Sequence, residues 1–182
     1  MKNNPALVPH PDTLSVADFS KCHANIIARL MKFGGLPSLL NHPAAARMLA
    51  SDTLGFFRDA VFGHHAEEER DLFPTVLART TRGAELEHLR STVERLTQEH
   101  RQVEARWDKL EPVLAQIANG ETPELDAAEV EALVLDYAAH AAFEEAEFLP
   151  LCRTILARTK DYVSMADLAH KGSWAPTVPV PL

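Results

Sequence analysis

The sequence has little of what several kinds of fold and site require. Only two cysteines occur in 182 residues, Cys22 and Cys152, so neither a disulfide framework nor a C-x-x-C metal or redox pair is available. No apolar stretch approaches the roughly 18 residues of a membrane-spanning helix. The N-terminus also lacks the apolar segment of a signal peptide. We therefore expect a cytoplasmic protein that keeps its thiols reduced.

Positive charge is scarce as well. The chain has 18 Lys and Arg residues against 26 Asp and Glu residues, which gives a formal net charge of −8. A surface with this balance repels phosphate groups, so we expect neither nucleic acid nor a membrane as a partner. The macromolecular partner that we expect is therefore a second copy of the chain or another protein.

Glycine is rare, with seven residues, and apolar residues recur at spacings of three and four without the alternation typical of strands. This pattern predicts an all-α fold with four long helices. The fourth has two candidate starts, Thr122–Pro123 and Asp126, and Asp126 with Glu129 would form a capping box. Short connections favour an antiparallel up-and-down four-helix bundle, and the predicted helices cover about residues 15–32, 43–80, 83–118 and 122–158.

The ends of the chain differ from this helical part. Residues 1–14 are interpreted as an N-terminal extension, residues 15–158 as the bundle, and residues 159–182 as a C-terminal extension with a proline-rich tail. We expect both ends to be docked on the bundle or on a partner. The predicted organisation is therefore one domain with two extensions.

Two helices carry the same histidine–carboxylate motif. His64 precedes Glu68 by four residues, and a shift of 76 residues maps this pair onto His140 and Glu144. Residues four apart lie on one helix face, and both pairs fall on the apolar stripe that should face the core. Each motif is followed by a proline, Pro74 or Pro150, which we expect to kink or end its helix. The register leaves His65 and Glu69 toward the flank and Glu67 in solvent.

The other two predicted helices each add one histidine to the core side, His23 and His100. Buried carboxylates without partners cost several kcal/mol each, and a metal cluster would compensate for that cost. Imidazole and carboxylate together suit iron, manganese or zinc. For any single histidine the alternative is a hydrogen-bonded core residue. Four histidines at matching depth favour a metal site.

This set of residues resembles the hemerythrin-like, HHE cation-binding family over about residues 15–158. The resemblance implies a four-helix bundle with a non-haem di-iron centre, in which Glu68 and Glu144 would bridge the two irons. His23 and His64 would bind one iron, and His100 and His140 the other. Oxygen-carrying hemerythrins have a further histidine in the third helix, where this chain has Glu104. Additional ligands are therefore sought among three residues, Glu104, His65 and Glu69.

The expected function is the binding or sensing of oxygen, nitric oxide or iron through two iron ions, with manganese or zinc as alternatives. A second interpretation is a di-iron oxidoreductase that acts on peroxide or nitric oxide or repairs iron clusters. A third is a metal that only holds the bundle together. The sequence leaves open whether the protein is an enzyme, because the sensing and oxidoreductase interpretations use the same ligands.

Overall fold

The structure is a computed structural model and describes residues 16–158, apart from the side chain of Asp18. The predicted extensions, and the expectation that both ends are docked, therefore lie outside the described residues. Within residues 16–158 the chain forms helices and short connections, without strands. No helix in this part is long and apolar enough to cross a membrane.

Eight α-helices make up most of the described chain. The first predicted helix is α1, and the third is α6. The segments that were predicted as the second and fourth helices are each divided into shorter pieces. The α-helices are α1 (Val16–Phe33), α2 (Leu36–Leu39), α3 (Pro43–Phe56), α4 (Gly63–Glu67), α5 (Phe73–Arg79), α6 (Ala84–Ala118), α7 (Ala127–Phe143) and α8 (Leu149–Arg158).

Three π-helical segments join these pieces without breaking the helical path: π1 (Phe57–Phe62), π2 (Glu68–Leu72) and π3 (Glu144–Phe148). The backbone N–H of the residue after π2 donates to the carbonyl of Glu68, and the one after π3 to the carbonyl of Glu144. Each bond spans five residues, as in a π-turn.

The two prolines follow these π segments directly. Pro74 is the second residue of α5, and Pro150 is the second residue of α8. Of the two expected effects, a kink or an end, the prolines do not end the helical segments, since each lies at the second position of a new α-helical piece, where a missing N–H donor is tolerated. Both helical segments therefore continue past the motif.

The start of α7 is decided in favour of Asp126. Its carboxylate accepts hydrogen bonds from the backbone N–H groups of Ala128 at 2.9 Å and Glu129 at 3.3 Å, which is the geometry of an N-cap. The Glu129 carboxylate contacts Arg106 and Lys109. Only the aspartate half of the predicted capping box is therefore observed.

The helices pack side by side. Helix α1 contacts α3 and α7, α6 contacts α3 and α7, and α5 contacts α8. This confirms the predicted fold class, an all-α bundle of helices.

The buried apolar side chains form two clusters, one around Phe33, Trp107 and Leu114 and the other around Leu72, Phe148 and Leu156. On the long helical segments, buried polar side chains lie between the residues of one apolar cluster and those of the other. We call these polar side chains the polar layer.

Candidate metal centre

The polar layer contains all six side chains that the sequence singled out as primary metal ligands. Helix α1 supplies one of them, α6 another, and the two segmented helices supply a histidine and a glutamate each. None is more than 2% exposed to solvent. The six are His23, His64, Glu68, His100, His140 and Glu144.

Four of these side chains form a first group. His23 Nε2 lies 2.8 Å from Glu144 Oε2 and 2.8 Å from His64 Nε2. His64 Nε2 lies 3.4 Å from Glu68 Oε1. One ligand atom from each of the four lies within 4.8 Å of the others, which is close enough to surround a single cation.

A second group shares both glutamates with the first. His100 Nε2 lies 3.4 Å from Glu68 Oε2, and His140 Nε2 lies 3.6 Å from Glu144 Oε2. The ligand atoms of these four residues also lie within 4.8 Å of one another. Glu68 thus turns one oxygen to each group. Both glutamates are placed where a carboxylate can bridge two cations.

The polar atoms at the centre lack partners within the described part of the chain. Both carboxylate oxygens of Glu68, Glu144 Oε1, and the Nε2 atoms of His100 and His140 are buried without a hydrogen bond there. Burying unpaired polar atoms is unfavourable, and an unpaired carboxylate is especially so. A pair of cations would satisfy these atoms, so the donor set fits the di-metal centre that the resemblance implies.

His65 lies inside the bundle, which corrects the expectation that it faces the flank. It is 1% exposed, and its ring stacks on that of His100 with the centroids 3.9 Å apart. One of its nitrogens lies within 4.8 Å of ligand atoms of His100 and His140. Neither ring nitrogen has a hydrogen bond within the described chain. His65 is thus available to the second group as a third imidazole.

The remaining two candidate ligands lie behind the imidazole rings. Glu69 Oε1 accepts a hydrogen bond from His100 Nδ1 at 2.8 Å. Glu104 accepts from Arg101 at 2.7 Å and lies 3.6 Å from His65 Nδ1. Both carboxylates are about one quarter exposed, so they connect the polar layer to the surface.

Three further findings depart from the sequence interpretation. Glu67, expected in solvent, is only 8% exposed. Glu145 Oε1 accepts from His23 Nδ1 at 2.8 Å, and Glu99 Oε2 accepts from His140 Nδ1 at 3.1 Å. Sequence reasoning missed both partners, although each is a neighbour of a predicted ligand. The doubled glutamate in both motifs is a signal that could have found Glu145.

Burial and neighbouring charge set the protonation of the layer. Burial lowers the pKa values of His64, His65 and His100 well below the ordinary value, with the neighbouring imidazoles adding to the effect. These rings therefore stay neutral, which is the form that binds metals.

Two groups shift in the other direction. Burial lowers the pKa of His23, but Glu144 and Glu145 outweigh it and raise the value overall. Burial and the charge of Glu144 raise the pKa of Glu68 well above the ordinary range. A carboxyl group of this kind binds a proton unless a cation replaces it.

Comparison with known proteins identifies the family. Residues 15–152 match the family model of the hemerythrin HHE cation-binding domain. The chain belongs to this family. The match confirms the resemblance drawn from the histidine and glutamate spacing, and the two donor groups in this hemerythrin HHE domain fit the binding of cations.

Among curated proteins, this HHE domain is similar to a Haemophilus influenzae protein (strain ATCC 51907 / DSM 11121 / KW20 / Rd) described as "Uncharacterized protein". The two are 22% identical over 130 residues, which cover 70% of this chain and 72% of the relative. No solved structure is significantly similar to the chain.

Proposed function

We propose that the chain binds two iron ions in the polar layer and uses them to sense oxygen, nitric oxide or the iron supply. The observation that supports this proposal best is the sharing of Glu68 and Glu144 by two groups of donors. His23 and His64 would complete one position. His100 and His140 would complete the other, with His65 as a third imidazole. Imidazole and carboxylate are suitable ligands for iron, and manganese or zinc are alternative occupants.

Iron held by such ligands supplies a redox change and an open position for a small ligand. The side chains determine what can reach that position. Phe19 lies against the His64 ring, with centroids 5.6 Å apart, and Phe73 lies 5.9 Å from the His100 ring. These aromatic walls exclude water and favour small diatomic ligands over large polar substrates. The group of His23 and His64 has fewer side-chain donors, so we assign the open position to it.

An oxidoreductase acting on peroxide or nitric oxide, or in iron-cluster repair, is the second candidate. One observation favours it. Tyr137 is fully buried with its hydroxyl unpaired in the described chain, and its ring lies 5.9 Å from that of His140. Burial raises the pKa of this phenol further, so the hydroxyl keeps its proton and can donate a hydrogen bond. Such a donor beside a redox centre would assist a reaction of a bound substrate.

The proposal is tested on full-length protein prepared without a histidine tag. Elemental analysis should find about two iron ions per chain after growth with iron. One metal per chain, or none after iron loading, would contradict the di-iron proposal. Two metals with no spectral response to oxygen, peroxide or nitric oxide would leave only a structural role.

The same sample separates the two candidate functions. The reduced protein is prepared under anaerobic conditions, oxygen or peroxide is then added, and the absorption spectrum and the consumption of peroxide are followed. Oxidation with little peroxide turnover would support sensing, and sustained turnover would support the enzyme. A stable and reversible oxygen adduct would instead indicate oxygen carriage.

The location and partners are part of the proposal. We propose that the protein is cytoplasmic. This is supported by Cys22 and Cys152, neither of which forms a disulfide. We propose that a second copy of the chain or another protein receives its signal. The net charge of −8 supports a protein over a nucleic acid or a membrane in this role.

A further inference from the structure

The polar layer repeats itself in the two halves of the chain. The shift that maps Glu68 onto Glu144 also maps the next residue, Glu69, onto Glu145. In each doublet the first glutamate faces the centre. The second reaches a histidine on another helix, since Glu69 accepts from His100 Nδ1 and Glu145 from His23 Nδ1, both at 2.8 Å.

A second kind of contact is present in one half only. Glu99, the residue before His100, accepts from His140 Nδ1 at 3.1 Å. The residue before His23 is Cys22, whose thiol is 2% exposed and belongs to the apolar cluster. The carboxylate that supports His140 therefore has a cysteine, Cys22, at the equivalent position in the other half of the chain.

A carboxylate at Nδ1 changes what the imidazole can do. Because a carboxylate only accepts, the Nδ1 proton is fixed in the hydrogen bond and the Nε2 lone pair is left for a metal. The contact also holds the ring in place and makes Nε2 a stronger donor. His100 and His140 both have this support. In the other group only His23 has it within the described contacts.

The supporting carboxylates are also anchored unequally. Glu99 accepts from Arg95 Nε at 2.7 Å, and the Arg95 guanidinium lies 3.5 Å from the centre of the Phe143 ring. Glu69 is paired with Arg101. Glu145 accepts from the hydroxyl of Ser20 at 2.8 Å and is 38% exposed. A cation holds a carboxylate more firmly than a hydroxyl does, so the second group has the stronger supports.

We propose that Glu69, Glu99 and Glu145 are positioning residues of the metal centre and that they make its two metal positions unequal. The position of His100 and His140 binds its metal first and more tightly. The position of His23 and His64 binds later and exchanges more readily. This inference rests on the proposed function, because it assumes that both groups of donors bind a metal.

The test is a titration of the metal-free, full-length protein with Co²⁺, whose visible spectrum reports on its ligands. For the unchanged chain we expect two binding steps with affinities about 10–100-fold apart, the range by which partners of ligating histidines alter affinity. Glu99→Ala should weaken the first step by a similar factor and bring the two steps together. Glu145→Ala should weaken the second step and separate them further.

Matched variants distinguish positioning from general damage. Glu94→Ala removes an exposed carboxylate of the same helix as Glu99 and should leave both steps unchanged. Glu99→Gln retains an oxygen that can accept from Nδ1, so it should restore most of the affinity and the Co²⁺ spectrum of the first step. It also provides the test if Glu99→Ala does not fold, which circular dichroism would reveal.

The outcomes separate this inference from the proposed function. Two equal steps in the unchanged chain, or the same effect of Glu99→Ala and Glu145→Ala on both steps, would overturn the inequality while the two-metal centre stands. An alanine variant of Glu99 that binds like Glu94→Ala would refute the positioning role. Failure of the unchanged chain to bind two metal ions would overturn both proposals.

Discussion

The two halves of the polar layer share the backbone arrangement that follows the motif glutamate but differ in the side chains beside it. In both halves the glutamate of the motif is the first residue of a π-helical segment, and a proline follows that segment. Three of the positions that differ between the halves under the 76- or 77-residue shift have an imidazole or carboxyl group beside a donor in one half only. The differing pairs are His65 and Ala141, Glu67 and Phe143, and Cys22 and Glu99.

This comparison separates the contribution of the backbone from that of the side chains around the donors. The repeated backbone sets the positions of the shared donors, since the π segments begin at equivalent residues. The three differences alter what surrounds those donors: an extra imidazole, an extra carboxyl group and a missing carboxylate. A near-symmetric bundle can thus provide two chemically different groups of donors through a few side chains in one layer.

The largest effect should come from the shared glutamates. Because each carboxylate contacts both groups of donors, Glu68→Ala and Glu144→Ala should each abolish binding of the metal pair. Elemental analysis of the purified variants would measure the loss. Equal losses would support the symmetric role of the two residues.

Glu69→Ala is the control for this experiment. Its carboxylate lies behind His100, so the variant should retain both metals with an affinity about tenfold lower. The assignment of Glu68 as the shared glutamate would be contradicted if Glu69→Ala lost both metals while Glu68→Ala kept them. In that case His65 and Glu69, and not His64 and Glu68, would be the inner pair.

An intermediate effect is expected from the unmatched histidine. His65→Ala should weaken metal binding by about tenfold at the position of His100 and His140, where a third imidazole is lost. Competition with a chelator measures the change, and the exposed His88 provides the control variant His88→Ala. Equal affinities of the two variants would show that His65 only packs against His100.

The smallest effect concerns the unmatched carboxyl group. Burial raises the pKa of Glu67 to about 7, above the ordinary value of an unfolded chain. The folded state thus binds the proton more tightly, and ionisation destabilises it as pH rises from about 4.5 to about 7. Glu67→Gln removes this penalty, so the metal-free variant should gain about 1–2 kcal/mol over the unchanged chain at pH 8.

Urea unfolding of both metal-free proteins at pH 4.5 and pH 8 measures the difference. Below about pH 4.5 the two proteins should have similar free energies of unfolding, because Glu67 is then protonated in both states. Glu87→Gln, at an exposed position, serves as the control. A constant difference at all pH values would assign the effect to packing.

The fold was predictable from the sequence because the periodic signals are strong. The spacing of apolar residues placed the ends of α1 and α6 within one or two residues of the observed ends. The histidines and glutamates on the apolar stripes were selected by the same rule. That rule works where a helix buries one face, so it brought together the six side chains now found in the polar layer.

The rule failed for His65 because a single buried face was assumed. His64 contacts His23 of α1, whereas His65 stacks on His100 of α6. The segment between these two helices buries neighbouring residues toward different partners. Two π segments also flank α4 and add a residue to their turns, so an ideal period of 3.6 does not describe this region.

The histidine that each supporting carboxylate contacts could not be predicted, for another reason. Glu99 and Glu145 act on helices other than their own, and such pairs depend on how the helices are rotated about their axes. A periodic pattern assigns a residue to a face but not to a partner. Contacts of this kind follow only from the packed structure.

Trp107 gives the centre an internal optical reporter. The indole is fully buried and stacks on Phe57 with the ring centroids 3.9 Å apart. It lies seven residues after His100 on the same helix, a rise of about 10 Å. We expect a bound iron ion to quench indole emission over that distance, so that fluorescence would follow metal entry without any label. The chain has two tryptophans, and Trp174→Phe would leave Trp107 as the sole source of the signal.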